Sequence, residues 1–368
     1  MRMVLQAALL AGLGLPSASA TAGPTLDKAV AAAEAMGFSG VIAAGDRHEV
    51  TYQRALGLAD RALARPHRVG QVWPWASVTK QVTAALVMRE VDRGRLSLEA
   101  SVKSLLPEFT GPTGDRITLR HLLQHTSGLP NPIETPLTSD EVPGFYRERG
   151  AGTSDAARAR GFCSGQPKAE PGTGFSYNNC DTQVAGAILE RLNGARFLAL
   201  VRNEVARPLG LRSLGFAKED QPAGGTGLIG YEAGKPAVPI NFAALGAAGA
   251  LVGSASDLVR FNQALMGHRI VSQTSTAEMW KGEPKLGYVA LGAWSFRANL
   301  KGCNGQVALV ERRGHFGGIQ VRSVIAPALG RTIVAFTNNG DLEFGEVWQG
   351  KGLTYELASA AFCAGQSD

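Results

Sequence analysis

The chain has 368 residues, of which 45% are hydrophobic and 18% charged, and it carries a formal net charge of +6. That composition excludes a disordered chain and supplies enough apolar material for one large domain or two smaller ones. The excess charge is scattered arginine without a basic block that would track a phosphate backbone, so nucleic acid is not an expected partner.

In chain order, Arg2, the apolar stretch from Val4 to Leu15, Pro16 and the small-x-small Ala18-Ser19-Ala20 follow the grammar of a secretory signal peptide over residues 1–20. The implied location is periplasmic or secreted. No later run offers around 18 uninterrupted apolar residues, so no integral membrane span is expected. Leu26 to Met36 reads as a helix, Phe38 to Gly45 as a buried strand, and Glu49 to Asp60 as its hairpin partner. From Val78, the apolar positions Val82, Ala85 and Leu86 recur at helical spacing, Val91 continues the face, and Gly94 is placed to stop it. Residues 102–241 change character, with Pro, Gly and Thr between short helical stretches such as TLRHLLQH and TQVAGAILERL. Strand signals then return in GYVALGAWSF, QVALVERRGHFGGIQ, RSVIAPAL and RTIVAFTNN, an antiparallel meander, and LTYELASAAFCA closes as a helix. The expected fold is α/β of the α+β type. Residues 24–101 and 242–368 build an antiparallel sheet flanked by helices, and 102–241 form an inserted, mainly helical lobe. A cleft between two such lobes is a common place for a site.

Four cysteines, Cys163, Cys180, Cys303 and Cys363, lack the Cys-x-x-Cys spacing of a zinc or redox site. An even count in an exported chain suggests disulfides. Of the three pairings, proximity favours Cys163–Cys180, which leaves Cys303–Cys363. No cofactor is expected.

Three short constellations carry chemistry. Ser77 and Lys80 lie three apart at a helix start, where they share a face. The amine can reach the hydroxyl, and the Ser77 N–H sits at the positive end of the helix dipole, suited to one half of an oxyanion hole. Tyr177 and Asn179 follow in FSYNNC. A free tyrosine is a poor base at neutral pH, but a cationic lysine beside it favours the phenolate. Asn179 offers an amide for a substrate carbonyl. Third, His315-Phe316-Gly317-Gly318 lies on an expected strand, where glycines weaken the strand unless something must approach its backbone. The Gly318 N–H is the expected second oxyanion donor.

Ser77-x-x-Lys80, Tyr177-x-Asn179 and His315-x-Gly317, in that order, resemble the serine β-lactamase and penicillin-binding-protein superfamily, most closely its class C-like branch. That branch includes D-alanyl-D-alanine carboxypeptidases, D-amino-acid peptidases and family VIII esterases. Accessory stretches at 94–109, 117–130 and 247–265 look alike too, and the resemblance covers about 38–338. It implies that Ser77 attacks a carbonyl to form an acyl-enzyme, with Lys80 and Tyr177 sharing the acid and base roles. Asn179 would orient the substrate amide, and Ser77 and Gly318 would hold the oxyanion. Two departures stand out. His315 occupies a position where dedicated β-lactamases usually carry lysine, and Phe316 replaces a common hydroxyl residue. Both weaken the grip on a substrate carboxylate.

His125, in HTSGL, tempts as a base but reads as structural. Trp73 and Trp75 read equally as cleft walls or core. The expected function is therefore an exported serine hydrolase acting on a small-molecule or short-peptide substrate, amide or ester. A D-alanyl-D-alanine carboxypeptidase or a β-lactamase proper is the alternative, and a non-hydrolytic penicillin-binding sensor module is the alternative of another class. No Gly-x-Ser-x-Gly elbow or His-Glu-x-x-His helix is present.

Overall fold

The structure is a computed structural model that describes residues 24–219 and 221–364. The leader reading of residues 1–20 lies outside the described residues. Six strands form the main sheet: β1 (Gly40–Gly45), β2 (Val50–Leu56), β3 (Trp294–Asn299), β4 (Gln306–Phe316), β5 (Ile319–Ala326) and β6 (Arg331–Thr337). Their order is β3-β4-β5-β6-β1-β2, and every neighbouring pair is antiparallel. Strands from both parts of the chain thus meet where β1 pairs with β6.

Every residue of β1, GVIAAG, is buried. A strand reads as an unbroken apolar run when both faces of its sheet are covered. Alternation divides the two sides. Ile42, Val324 and Ile333 face a cluster with Leu26, Leu357 and Phe362 from helices α1 (Pro24–Ala35) and α5 (Leu353–Cys363). Val41, Val321, Val334 and Phe336 face the other way, into a core shared with α2 (Thr79–Asp92), α3 (Asn179–Asn193) and α4 (Ala255–Met266).

Helix α2 was expected to be amphipathic, yet it is buried on nearly every side, Thr79, Lys80, Gln81, Thr83 and Glu90 included. It runs between the sheet and the helices of the middle region, so polar positions that would face water in a surface helix meet protein instead. Its end is as expected. Gly94, at φ 68°, donates to Val91 O while Arg95 N reaches Glu90 O, a Schellman closure. The reading of GYVALGAWSF as one strand was too long. Only the part from Trp294 onward is strand, because the residues before it turn back through left-handed Gly287, Tyr288 and Gly292.

Cys163 is bonded to Cys180 and Cys303 to Cys363. Among the described residues no helix is long and apolar enough to cross a membrane.

Candidate active site

Ser77 is placed by a small second sheet. Val72–Pro74 pairs with Leu251–Ser254, and Trp75 N donates to Leu251 O at 2.8 Å. The chain then turns left-handed at Ala76, φ 45°, a conformation uncommon for a residue with a Cβ. Holding such a residue costs of order 1–3 kcal/mol, which the surrounding packing must supply. A single 3₁₀ turn, Ala76–Val78, hands over to α2 at Thr79. Ser77 therefore sits where a helix begins, among N–H groups with no intrahelical partner. Trp73 and Trp75 are both fully buried and belong to the core, so neither walls the cleft.

Lys80, one turn on, is 1% exposed. Its Nζ donates to Ser77 Oγ at 3.3 Å, Asn179 Oδ1 at 2.7 Å and Ala248 O at 2.7 Å. An ammonium has three N–H donors, and here each meets an acceptor. Burial pulls Lys80 down to about 8, Tyr177 pulling upward and Arg312 downward.

Tyr177 stands at the entrance to α3, whose cap is Asn178, with Oδ1 accepting from Cys180 N at 2.7 Å. The preceding backbone is pinned: Asn131 Nδ2 donates to Tyr177 O at 2.9 Å and Ser176 N to His125 O at 2.8 Å. The phenol O–H donates to Ser77 Oγ at 2.6 Å and accepts from Arg312 Nη2 at 2.9 Å. Burial pushes the phenol up, but Lys80 and Arg312 together pull harder and bring it down to about 8. Behind it lies His125, its ring 4.7 Å from the Tyr177 ring. Its Nδ1 is 3.1 Å from Asp181 Oδ2, so its hydrogen bond goes there rather than to Ser77. Burial lowers His125 and raises Asp181, which favours the neutral form of each.

Asn179 reaches the cluster, but its amide is already engaged. Oδ1 accepts from Lys80, and Nδ2 donates to Tyr146 OH at 2.7 Å.

The third constellation is corrected by the register of β4 and β5. Phe316 pairs with Ile319, so Gly317 (φ 57°) and Gly318 (φ 72°) are the two-residue tip of a hairpin, both with the positive φ of a type I′ turn. The Gly318 N–H donates to Glu232 Oε1 at 2.9 Å, and the His315 ring lies 3.9 Å from the same carboxylate. The His315 ring and the Gly318 N–H are thus directed to Glu232 rather than to Ser77, Gly317 is at the turn, and of these residues only the His315 backbone comes near Ser77. The residues beside Ser77 lie three positions earlier. Arg312 Nε donates to Ser77 O at 2.8 Å, and its side chain is 2% exposed. A Cβ on Gly314 would stand 2.8 Å from Trp75 O and 3.1 Å from Ser77 N. Gly314 thus permits a close approach of two backbones, whereas the sequence reading had expected the approach at Gly317 and Gly318.

The same register aims a donor into this gap. In an antiparallel pair, alternate residues turn their N–H away from the partner. The closing pair Phe316–Ile319 exchanges hydrogen bonds across the turn, so the His315 N–H points away from β5. On that side β3 stops at Trp294, opposite Glu311, which leaves the β4 edge open from Arg312 onward. The backbone N–H groups of Ser77 and His315 thus flank the place where Gly314 meets the Ser77 turn.

The beta-lactamase family model matches residues 26–347. The chain belongs to the beta-lactamase family. Among its relatives are the esterase EstB of Burkholderia gladioli, 37% identical over 202 residues, 49% of this chain and 48% of that protein. A D-aminopeptidase of Cereibacter sphaeroides is 30% identical over 198 residues, 53% of this chain and 36% of that protein. The match thus spans about half of EstB and 36% of the aminopeptidase. The fold is that of the D-amino acid amidase of Ochrobactrum anthropi SV3 solved with D-phenylalanine, at TM-score 0.74 and 22% identity, covering 91% of this chain and 96% of that one.

Three partners in this beta-lactamase-family site escaped the sequence reading: Arg312, Gly314 and Tyr146. For the first two a signal was available. Gly-Gly between two β-prone runs marks a two-residue hairpin, which ends the strand at Phe316 and leaves Arg312-Arg313-Gly314 as the strand-borne cation and glycine. Tyr146 lies in a short 3₁₀ turn, Gly144–Arg147, with no pattern pointing to Asn179.

Proposed function

We propose that this chain is a serine hydrolase that forms an acyl-enzyme on Ser77 and cleaves esters of uncharged acyl groups. The observation that carries the reading is the Ser77 Oγ, held 2.6 Å from the Tyr177 hydroxyl and 3.3 Å from Lys80 Nζ. With all three N–H groups directed at acceptors, Lys80 acts as a fixed cation and Tyr177 as the base. As phenolate, Tyr177 accepts from both Ser77 and Arg312. The Ser77 proton passes to the Tyr177 oxygen as Oγ bonds to the carbonyl carbon. The carbonyl oxygen becomes an oxyanion between the N–H groups of Ser77 and His315. Collapse breaks the ester bond, and the leaving alkoxide takes the proton from Tyr177. Water then attacks the acyl group as Tyr177 takes its proton, and Tyr177 returns that proton to Ser77 Oγ as the acyl bond breaks and the acid leaves.

Ester rather than carboxylate-bearing β-lactam or peptide is favoured by where the cations are. The Arg312 guanidinium is buried and engaged with Ser77 O and Tyr177 OH. Burial lowers His315, so near pH 7 its ring favours the neutral form. The kinship with an esterase supports the same reading. The intact Ser77–Lys80–Tyr177 hydrogen bonds disfavour a non-hydrolytic sensor. The two disulfides are compatible with export to an oxidising compartment, as the leader-like residues 1–20 suggest.

The test is Ser77→Ala. It should abolish turnover of p-nitrophenyl butyrate with the melting transition retained, and a fluorophosphonate should label the wild-type chain once, on Ser77. Retained turnover, or a label on another residue, overturns the reading.

A further inference from the structure

The wall beside Asn179 is aromatic and closed. Tyr146 is fully buried, and its oxygen accepts the Asn179 Nδ2–H that would otherwise face the site. Tyr146 is fixed from behind, Asn241 N donating to its carbonyl at 3.0 Å. Phe316 covers it, ring edge to face at 4.8 Å, and packs in turn on Phe242 at 6.2 Å. Alternation along β4 puts Phe316 on the same face as Arg312 and Gly314, the face that meets Ser77. An acyl group attached to Ser77 therefore meets hydrocarbon on this side. The Asn179 side-chain amide is 8% exposed and engaged with Lys80 and Tyr146.

We propose that Tyr146 and Phe316 restrict this site to plain carboxylic acyl groups and exclude acylamino acyl groups, those bearing an amide next to the reacting carbonyl. This rests on the acyl-enzyme reading above. An amide pressed against this wall would lose water from its N–H and C=O and gain no partner, and an unpaired polar group is what a site rejects most strongly. Tyr146 acts by occupying Asn179, and Phe316 by filling the space an amide would need. Both are specificity-determining rather than catalytic.

The test compares two p-nitrophenyl esters of matched chain length, pentanoate and N-acetylglycinate. Each kcat/KM is divided by that ester's rate with hydroxide, to remove intrinsic reactivity. The wild-type chain should prefer pentanoate by about tenfold or more. In Tyr146→Phe/Phe316→Ala, which frees the Asn179 N–H and opens the wall, the preference should fall by about tenfold. Melting and fluorophosphonate labelling establish that the variant is folded, and Tyr146→Phe/Phe316→Leu serves if it is not. Equal wild-type rates on the two esters, or an unchanged preference in a folded variant, overturn the proposal. Loss of all turnover with Ser77 unlabelled in the wild-type chain would instead overturn the acyl-enzyme reading and this assignment with it.

Discussion

Gly314→Ala separates two registers of one strand. The added Cβ would lie 2.8 Å from Trp75 O, 3.0 Å from Ala76 Cβ and 3.1 Å from Ser77 N. Two of these neighbours are backbone, which no side-chain rotation can move aside. Relief to an ordinary contact of roughly 3.5 Å needs β4 and the Ser77 turn to part by about half an ångström or more. Overpacking of this kind costs about 1–3 kcal/mol of stability. The larger effect should be on rate, because the N–H groups of Ser77 and His315 lie on opposite sides of that gap. Losing one oxyanion donor lowers kcat by about 10²–10³. Gly314→Ala should therefore reduce kcat on p-nitrophenyl butyrate about a hundredfold. Gly317→Ala is the control. Its Cβ would meet nothing closer than Phe242 at 3.8 Å, and its burden is the positive φ of 57°. That should cost about 1 kcal/mol of stability and leave kcat within a few-fold. Steady-state kinetics and thermal melts of both variants decide. A Gly314→Ala enzyme with wild-type kcat, or a Gly317→Ala enzyme that has lost it, refutes the register.

The remaining predictions concern charge and covalent constraint. If the Tyr177 phenolate is the base and Lys80 its cation, kcat/KM should be bell-shaped around pH 8, rising as Tyr177 deprotonates and falling above it as Lys80, also near 8, loses its proton; a rate that keeps rising well above pH 8 would take Lys80 out of the cation role. Arg312→Gln removes one of the two cations that hold the phenol down, so the midpoint of the rising limb should move to higher pH; an unmoved midpoint would take Arg312 out of the electrostatics. Cys303→Ser/Cys363→Ser opens a loop spanning 60 residues, worth about 4 kcal/mol in the chain-entropy account, and should lower the urea midpoint without changing kcat. Coincident denaturation curves for the variant and the oxidised wild type would contradict this.

What the sequence disclosed followed the range of each physical signal. Ser77 and Lys80 were legible because their geometry is local, three residues apart on one helix. Tyr177 was legible through its chemical dependence on Lys80. The helical expectation for α2 was right in position and wrong in exposure. Periodicity records which residues are apolar, but the burial of Thr79, Gln81 and Thr83 is decided by what packs on both sides. The third constellation went astray by three residues because glycine serves two ends. At Gly317–Gly318 it supplies positive φ for a turn, and at Gly314 it supplies absence of bulk. A one-letter string does not distinguish these uses until the strand is paired. The engagement of Asn179 by Tyr146 depends on a contact across 33 residues and left no trace in either stretch alone.

The bond from Arg312 Nε to Ser77 O joins positions 235 residues apart in the chain. Contacts of such separation are closed late, because the loop entropy must be met before the contact rewards it. Helix α2 is local, but the Ser77 turn waits for Leu251–Ser254, and the phenol stays without its second cation and the oxyanion gap without its far side until β4 docks. Ser77 thus lacks Arg312 until the chain has been made at least that far. Reactivity of Ser77 toward a fluorophosphonate then serves as a clock for the last stage of folding, switching on only when the C-terminal strands have joined the sheet.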